Sequence, residues 1–168
     1  RGVAQSKTVL SFKNQTEGAE GLKISNSNDI TIENISIHDT KGGGIKIQDS
    51  KHVTIRNVAI GWIEGEKTSN GNYGIHSVSC KNVLIEKCAV SAASGAGIYV
   101  SQSENIIVRN DVTSENTAGI TIENCIYADV YNNKSFNNTT GIFIYDIPGL
   151  TQKNGHHIRV YENVIRDN

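Results

Sequence analysis

Two rows of side chains, read at one residue per repeat, carry the groups that could do chemistry. The first is Lys23, Lys46, His76, Tyr99, Thr121 and Phe143; the second is Ser25, Gln48, Val78, Ser101, Glu123 and Tyr145. An imidazole beside a phenol is a proton-transfer pair, which makes His76 and Tyr99 the candidate catalytic residues. Taking the proton α to a uronate carboxylate builds charge that a cation must stabilise, and Lys46 stands one repeat before His76 for that task. Lysine supplies a point charge there, not a bidentate clamp. Lys23, Gln48 and Glu123 add hydrogen-bonding groups for a substrate, while Trp62, Phe143 and Tyr145 add rings able to stack on sugars. The plainer alternative is that Lys, Tyr, Thr and Gln are ordinary residues of an exposed strand.

These groups hang on a short strand that recurs six times. A Gly-apolar-x-apolar quartet begins at Gly21, Gly44, Gly74, Gly97, Gly119 and Gly141, at steps of 23, 30, 23, 22 and 22 residues. A second alternating segment follows each of the first five (ITI, VTI, VLI, IIV, ADV), and a weaker third follows that, as in ISI at 35–37. Three short period-two strands per repeat of about 22 residues describe an all-β fold, a right-handed parallel β-helix of about six coils. A leucine-rich repeat shares the period but lacks its leucine-asparagine consensus here. With coils about 4.8 Å apart, six make a rod on the order of 30 Å long, and neighbours in a row can share one substrate atom.

Aligned on the glycines, Ile24, Ile47, Ser77, Val100, Ile122 and Ile144 form one inward column, and Ile32, Ile55, Ile85, Val108 and Val130 another. Ser27, Ser50, Cys80, Ser103 and Cys125 form a third. Cys80 and Cys125 are then two coils or roughly 10 Å apart, beyond disulfide reach. Cys88 falls in a different column with Asp111 and Asn133, so all three thiols are expected reduced and buried. Asp111, Asn133 and Asn163 are expected to form an internal polar ladder at a corner. Two coils are enlarged, by 61–72 and by 147–157, and insertions on a solenoid gather around its working face.

Composition narrows the partners. The 168 residues carry a net charge of -1 with 20% charged residues, which gives no field for nucleic acid or an anionic membrane. No apolar run is long enough to span a bilayer. A glycoside hydrolase would need two facing carboxylates, and the rows offer Glu123 alone, with Asp49 and Asp146 at the margins. Those acids and Glu64 and Glu66 make no calcium loop. No nucleotide-binding loop, serine-hydrolase elbow or zinc-protease motif occurs, so neither a metal nor a cofactor is expected.

The stretches TVLSFKNQTEGAEGL (8–22), NGNYGI (70–75), KNVLIE (81–86), GAGIYVSQSENIIVRN (95–110), AGITIEN (118–124), ADVYNN (128–133) and DIPGL (146–150) resemble bacterial right-handed parallel β-helix repeat proteins. These are similar in fold to pectate-lyase-type polysaccharide lyases and mannuronan C5-epimerases, and the resemblance implies a secreted, periplasmic or cell-surface protein. The chain departs from the family at His76-Ser77, where a Tyr-Pro pair is usual, and at Gly95 and Thr121, where acids are usual. The Asp-Pro-His hallmark of mannuronan epimerases is missing.

Three functions compete: a lyase or epimerase on a uronate-containing polysaccharide, a non-catalytic carbohydrate-binding groove, and a structural solenoid acting through its ends. The whole chain reads as one domain, 1–168, of a longer protein, with end-to-end self-association or further residues expected to cover the terminal coils.

Overall fold

A computed structural model describes residues 1–63 and 67–168; Glu64 and Glu66 of the first enlarged coil lie outside the described residues. It is a right-handed parallel β-helix. After β1 (Val9–Ser11), the first two coils contribute β2 (Leu22–Ser25), β3 (Asn28–His38), β4 (Ile45–Gln48) and β5 (Lys51–Gly61). The third adds β6 (Tyr73–Val78), β7 (Lys81–Glu86) and β8 (Ala89–Ser91), and the fourth β9 (Ala96–Ser101), β10 (Glu104–Arg109) and β11 (Val112–Ser114). The last two hold β12 (Ala118–Glu123), β13 (Ile126–Tyr131), β14 (Lys134–Phe136), β15 (Thr140–Tyr145), β16 (His156–Tyr161) and β17 (Val164–Arg166). A 3-10 turn at Lys67–Ser69 lies in the first insertion.

The quartet strands stack as one six-stranded sheet, β15-β12-β9-β6-β4-β2. The second and third segments differ from the sequence reading in one respect. In the first two coils they run on as single bent strands, β3 and β5, and they separate only from the third coil onward, because β5 pairs with β7 along its first half and with β8 along its second. The bend sits at Asn34 and Asn57, whose φ angles of 59° and 51° are left-handed and whose amides bond to each other at 2.7 Å. Asparagine tolerates that conformation better than other side chains. Corner after corner uses the same device, which explains why the chain is rich in Asn.

The expected inward columns are present in register, Ile24 to Ile47 to Ser77 to Val100 to Ile122 to Ile144. Stacked Ile and Val side chains, most with no exposed surface, fill the interior. All three cysteines are free and buried. Cys80 and Cys125 act as rungs of the serine column, their thiols bonding the carbonyls of Val78 and Glu123 just as Ser50 and Ser103 hydroxyls bond those of Gln48 and Ser101. Burial pushes the Cys125 thiol up to about 12, so it stays protonated and inert.

The repeat glycines face a close neighbour. A Cβ at Gly74 would overlap Val90 Cγ1 and stand 2.6 Å from the Gly97 carbonyl oxygen. Every coil turns this corner with the third segment pressed against the quartet, and only hydrogen fits between them. Gly74→Ala is therefore expected to cost about 3 kcal/mol, the upper end for overpacking, because one of the two obstacles is backbone. Urea unfolding checks it; an alanine variant as stable as the parent would show that the corner yields.

Candidate functional site

The outward rows of the six-stranded sheet stand as expected, since Lys23, Lys46, His76, Tyr99, Thr121 and Phe143 pair in register, as do Gln48, Val78, Ser101, Glu123 and Tyr145. Their environments differ sharply. Lys23 is exposed, Thr121 and Glu123 are buried, and Phe143 is half exposed. Gln48 turns aside to bond Asp49 at 2.9 Å. Lys46 Nζ lies 4.0 Å from Glu20 Oε1.

His76 and Tyr99 meet face to face, ring centroids 4.9 Å apart and 27° from parallel. A third ring, Tyr73, joins them at 4.9 Å from His76 and 4.6 Å from Tyr99. Sequence reasoning missed Tyr73. Strict alternation would turn it inward with Ile75, yet Gly74 and Ile75 both face the core at the tight corner, so Tyr73 emerges on the same side as His76. The available signal was its position: Tyr73 is an aromatic in a column that otherwise reads Ala96, Ala118 and Thr140.

The proton chemistry of the cluster is set by burial. His76 is pushed down to about 4, mainly by loss of water and then by the Lys46 charge, and its Nε2 is buried with no partner. Tyr99 is pushed far up by burial and by the Glu123 carboxylate, to which its hydroxyl donates a short hydrogen bond; Tyr145 Oη lies 3.5 Å from the same hydroxyl. Tyr145 stacks in turn on Phe143 at 4.4 Å. Both proton-transfer candidates are thus tuned away from neutrality, one downward and one upward. At neutral pH they present an uncharged imidazole and an intact phenol.

Beside the rings is a pocket of about 270 Å³ lined by Glu20, Lys41, Lys46, Asn72, Tyr73 and His76. A larger trough of about 550 Å³ lies on the other sheet, over Thr54, Leu84, Ile107 and Tyr127. Size alone would favour the trough, but the smaller pocket holds the cation, the ring wall and the unpartnered imidazole together.

The structure does not bring Trp62 to this face. Its indole is buried at the corner after β5 and donates from Nε1 to the Thr40 carbonyl at 2.7 Å, packed under Gly71. There it anchors the first insertion, because a buried indole needs one acceptor and the turn supplies it. The second insertion is pinned at the opposite edge, where Gln152 donates to the carbonyls of Asn124 and Ser103 at 2.6 and 3.0 Å.

Among solved structures the fold is similar to a hyperthermoactive exopolygalacturonase from Thermotoga maritima, with a TM-score of 0.65 and 22% identity over 84% of this chain. The chain spans 36% of that enzyme's length. A glycosyl hydrolase proposed for Parabacteroides merdae aligns with a TM-score of 0.47 and 13% identity, over 82% of this chain and 77% of the other. None of the curated proteins matches. The profile of the NosD proteins, described as periplasmic copper-binding, matches residues 3–168, and the chain belongs to that family.

Proposed function

We propose that this chain is an exported carbohydrate-binding β-helix that holds an acidic oligosaccharide along the outer face of the quartet sheet. The observation that carries this reading is the stack of Tyr73, His76 and Tyr99 beside Lys46 and its pocket. Sugar rings rest on aromatic surface, here the half-buried Tyr73, while their hydroxyls take the neighbouring polar groups, here Asn72 and Lys41. The Lys46–Glu20 contact is long, so a uronate carboxylate can compete for the lysine. Export agrees with the family's periplasmic description.

Binding is favoured over lyase or epimerase chemistry by the tuning of the two candidate catalysts. A general base works best near the operating pH. His76 at about 4 is a weak one, and the Tyr99 phenol holds its proton against Glu123.

Copper is the other ligand that the family's description raises. Soft Cu(I) donors are lacking: the chain has no methionine, and its thiols are buried. Among the described residues no group of three or more His, Cys, Asp or Glu could hold a metal.

Calorimetric titration with oligogalacturonate and oligomannuronate tests the binding reading, alongside a neutral oligosaccharide. Tyr73→Ala and Lys46→Ala should each weaken acidic-glycan binding about tenfold, the effect of losing roughly 1.4 kcal/mol. Lys46→Ala should unfold near the parent temperature, since an outward lysine contributes little packing, while Tyr73→Ala should unfold somewhat lower for its lost contacts with His76 and Tyr99. Equal affinity for the neutral glycan would remove the uronate; absence of binding to any would remove the groove. New unsaturated ends or epimerised units on incubation would replace binding with catalysis.

A further inference from the structure

The quartet face is electrically one-sided along the rod axis. At the second and third coils the pocket beside Tyr73 holds two lysines, Lys41 and Lys46, against one carboxylate, Glu20. His76 adds nothing to that balance at neutral pH, because its imidazole is uncharged there. Lys23 stands one coil further out in the same row as Lys46. Past Tyr99 the sign reverses. Glu123 is buried on the fifth coil, and the groups that meet it are phenols: Tyr99 donates a short hydrogen bond to it, and Tyr145 Oη lies 3.5 Å from that hydroxyl. A phenol shares a carboxylate's charge without cancelling it, and burial keeps that charge from being screened. Its reach shows in Tyr73, Tyr99 and Tyr145, which burial first and then Glu123 hold protonated.

We propose that the groove sorts acidic glycans by where their charge falls: it takes a uronate at the Lys46 end with neutral sugars running toward Phe143, and it discriminates against a chain of uronates throughout. This deepens the carbohydrate reading and rests on it. Phe143, half exposed, stacks on Tyr145 at 4.4 Å on the sixth coil, where the two pair in register with Thr121 and Glu123. Their ring surface accepts the face of a sugar, but a carboxylate held there would stand about one coil spacing, or about 4.8 Å, from the Glu123 row. From Lys46 to Phe143 is four such steps, about 19 Å, the reach of a short oligosaccharide. Attraction at one end thus selects the uronate, and repulsion at the other rejects the wrong partner, which makes Glu123 the specificity-determining residue.

The test is calorimetric titration with tetragalacturonate, its fully carboxyl-reduced neutral form, and the two forms that keep a single galacturonate at one end or the other. One of the two mixed forms is expected to bind wild type about tenfold more tightly than tetragalacturonate, the size of one like-charge approach near a protein surface, and the other no more tightly. Glu123→Gln keeps an acceptor for the Tyr99 hydroxyl and should raise tetragalacturonate affinity about tenfold, closing that gap. Phe143→Ala should weaken the favoured mixed form several-fold. The inference is overturned, with acidic-glycan binding intact, if tetragalacturonate binds wild type as tightly as both mixed forms, if the two mixed forms bind alike, or if folded Glu123→Gln leaves the gap as it was. The wild-type comparison needs no variant, so a Glu123→Gln chain that fails to fold leaves the test standing. If no acidic form binds, or if binding ignores Lys46→Ala, the carbohydrate reading itself fails and takes this inference with it.

Discussion

Replacing Asp111 by Asn is expected to stabilise the protein at pH 8 by on the order of 5 kcal/mol and to remove the loss of stability that the Asp111 carboxyl imposes as pH climbs from about 4 to 8. Asp111 stands in a column of asparagines that close the turn between the second and third segments. Asn133 and Asn163 each accept a backbone N–H from the coil before and donate to a carbonyl, of Val108 and Val130. Asp111 Oδ1 accepts the Cys88 N–H at 2.7 Å, but Oδ2 is buried without a partner. The register sets the Ile85 carbonyl at the place Val108 takes for Asn133, and a carbonyl cannot meet an ionised oxygen. Burial, reinforced by the Glu86 carboxylate, accordingly raises Asp111 to about 8. A carboxyl whose pKa rises on folding contributes its full stability below the unfolded value near 4 and loses it as pH climbs through 8. Asparagine carries a permanent donor there and no charge. Chemical denaturation at pH 5 and pH 8 checks the claim: the parent should weaken across that interval and the variant should not. The lowered His76 adds stability with rising pH in both proteins, so the gap between them is the readout, and a gap that does not widen from pH 5 to pH 8 would show that the Asp111 site is hydrated.

Asn116→Leu is expected to destabilise by about 4 kcal/mol, from two or more stranded polar groups at roughly 1–3 kcal/mol each. Asn116 is fully buried. Its Oδ1 accepts the Ala93 N–H at 2.9 Å, and its Nδ2 donates to Val90 O at 3.2 Å and Asn138 Oδ1 at 3.0 Å. Leucine matches the volume and satisfies none of these. The Ala93 amide and the Val90 carbonyl then remain in a dry corner where water cannot replace the lost partner. Asn116→Asp keeps the acceptor and, protonated at low pH, offers one of the two donations, so it should fall between leucine and the parent there. Urea midpoints measure the series, and a leucine variant within 1 kcal/mol of the parent would mean the ladder contributes little.

The two substitutions mark the boundary of what could be read from the chain. Coil count, the inward columns, the serine–cysteine column and the Asp111–Asn133–Asn163 ladder were all legible, because a solenoid repeats its environment every turn. A residue's neighbours above and below are its own counterparts one period away, so tertiary contact reduces to sequence spacing. Asn116, Asn138 and Asn168 form a second ladder by the same logic, and it passed unnoticed because the third coil has Ala93 in its place.

Where the period is interrupted, spacing loses its hold. Trp62 belongs to an insertion, and only the fold could show that its indole turns into the corner to meet Thr40 instead of outward to a ligand. Tyr73 reached the ring stack through a glycine corner that breaks alternation. Charge states were likewise beyond the rows of letters. His76 and Glu123 stand on an outward face, yet side chains from neighbouring coils lean over them and exclude water, so exposure could not be inferred from direction. The sequence by itself determined which residues share a column and which face they take, since backbone periodicity dictates both. The tertiary structure alone decided how deeply each group lies and whom it touches across a corner, since those follow from side-chain packing, which has no period.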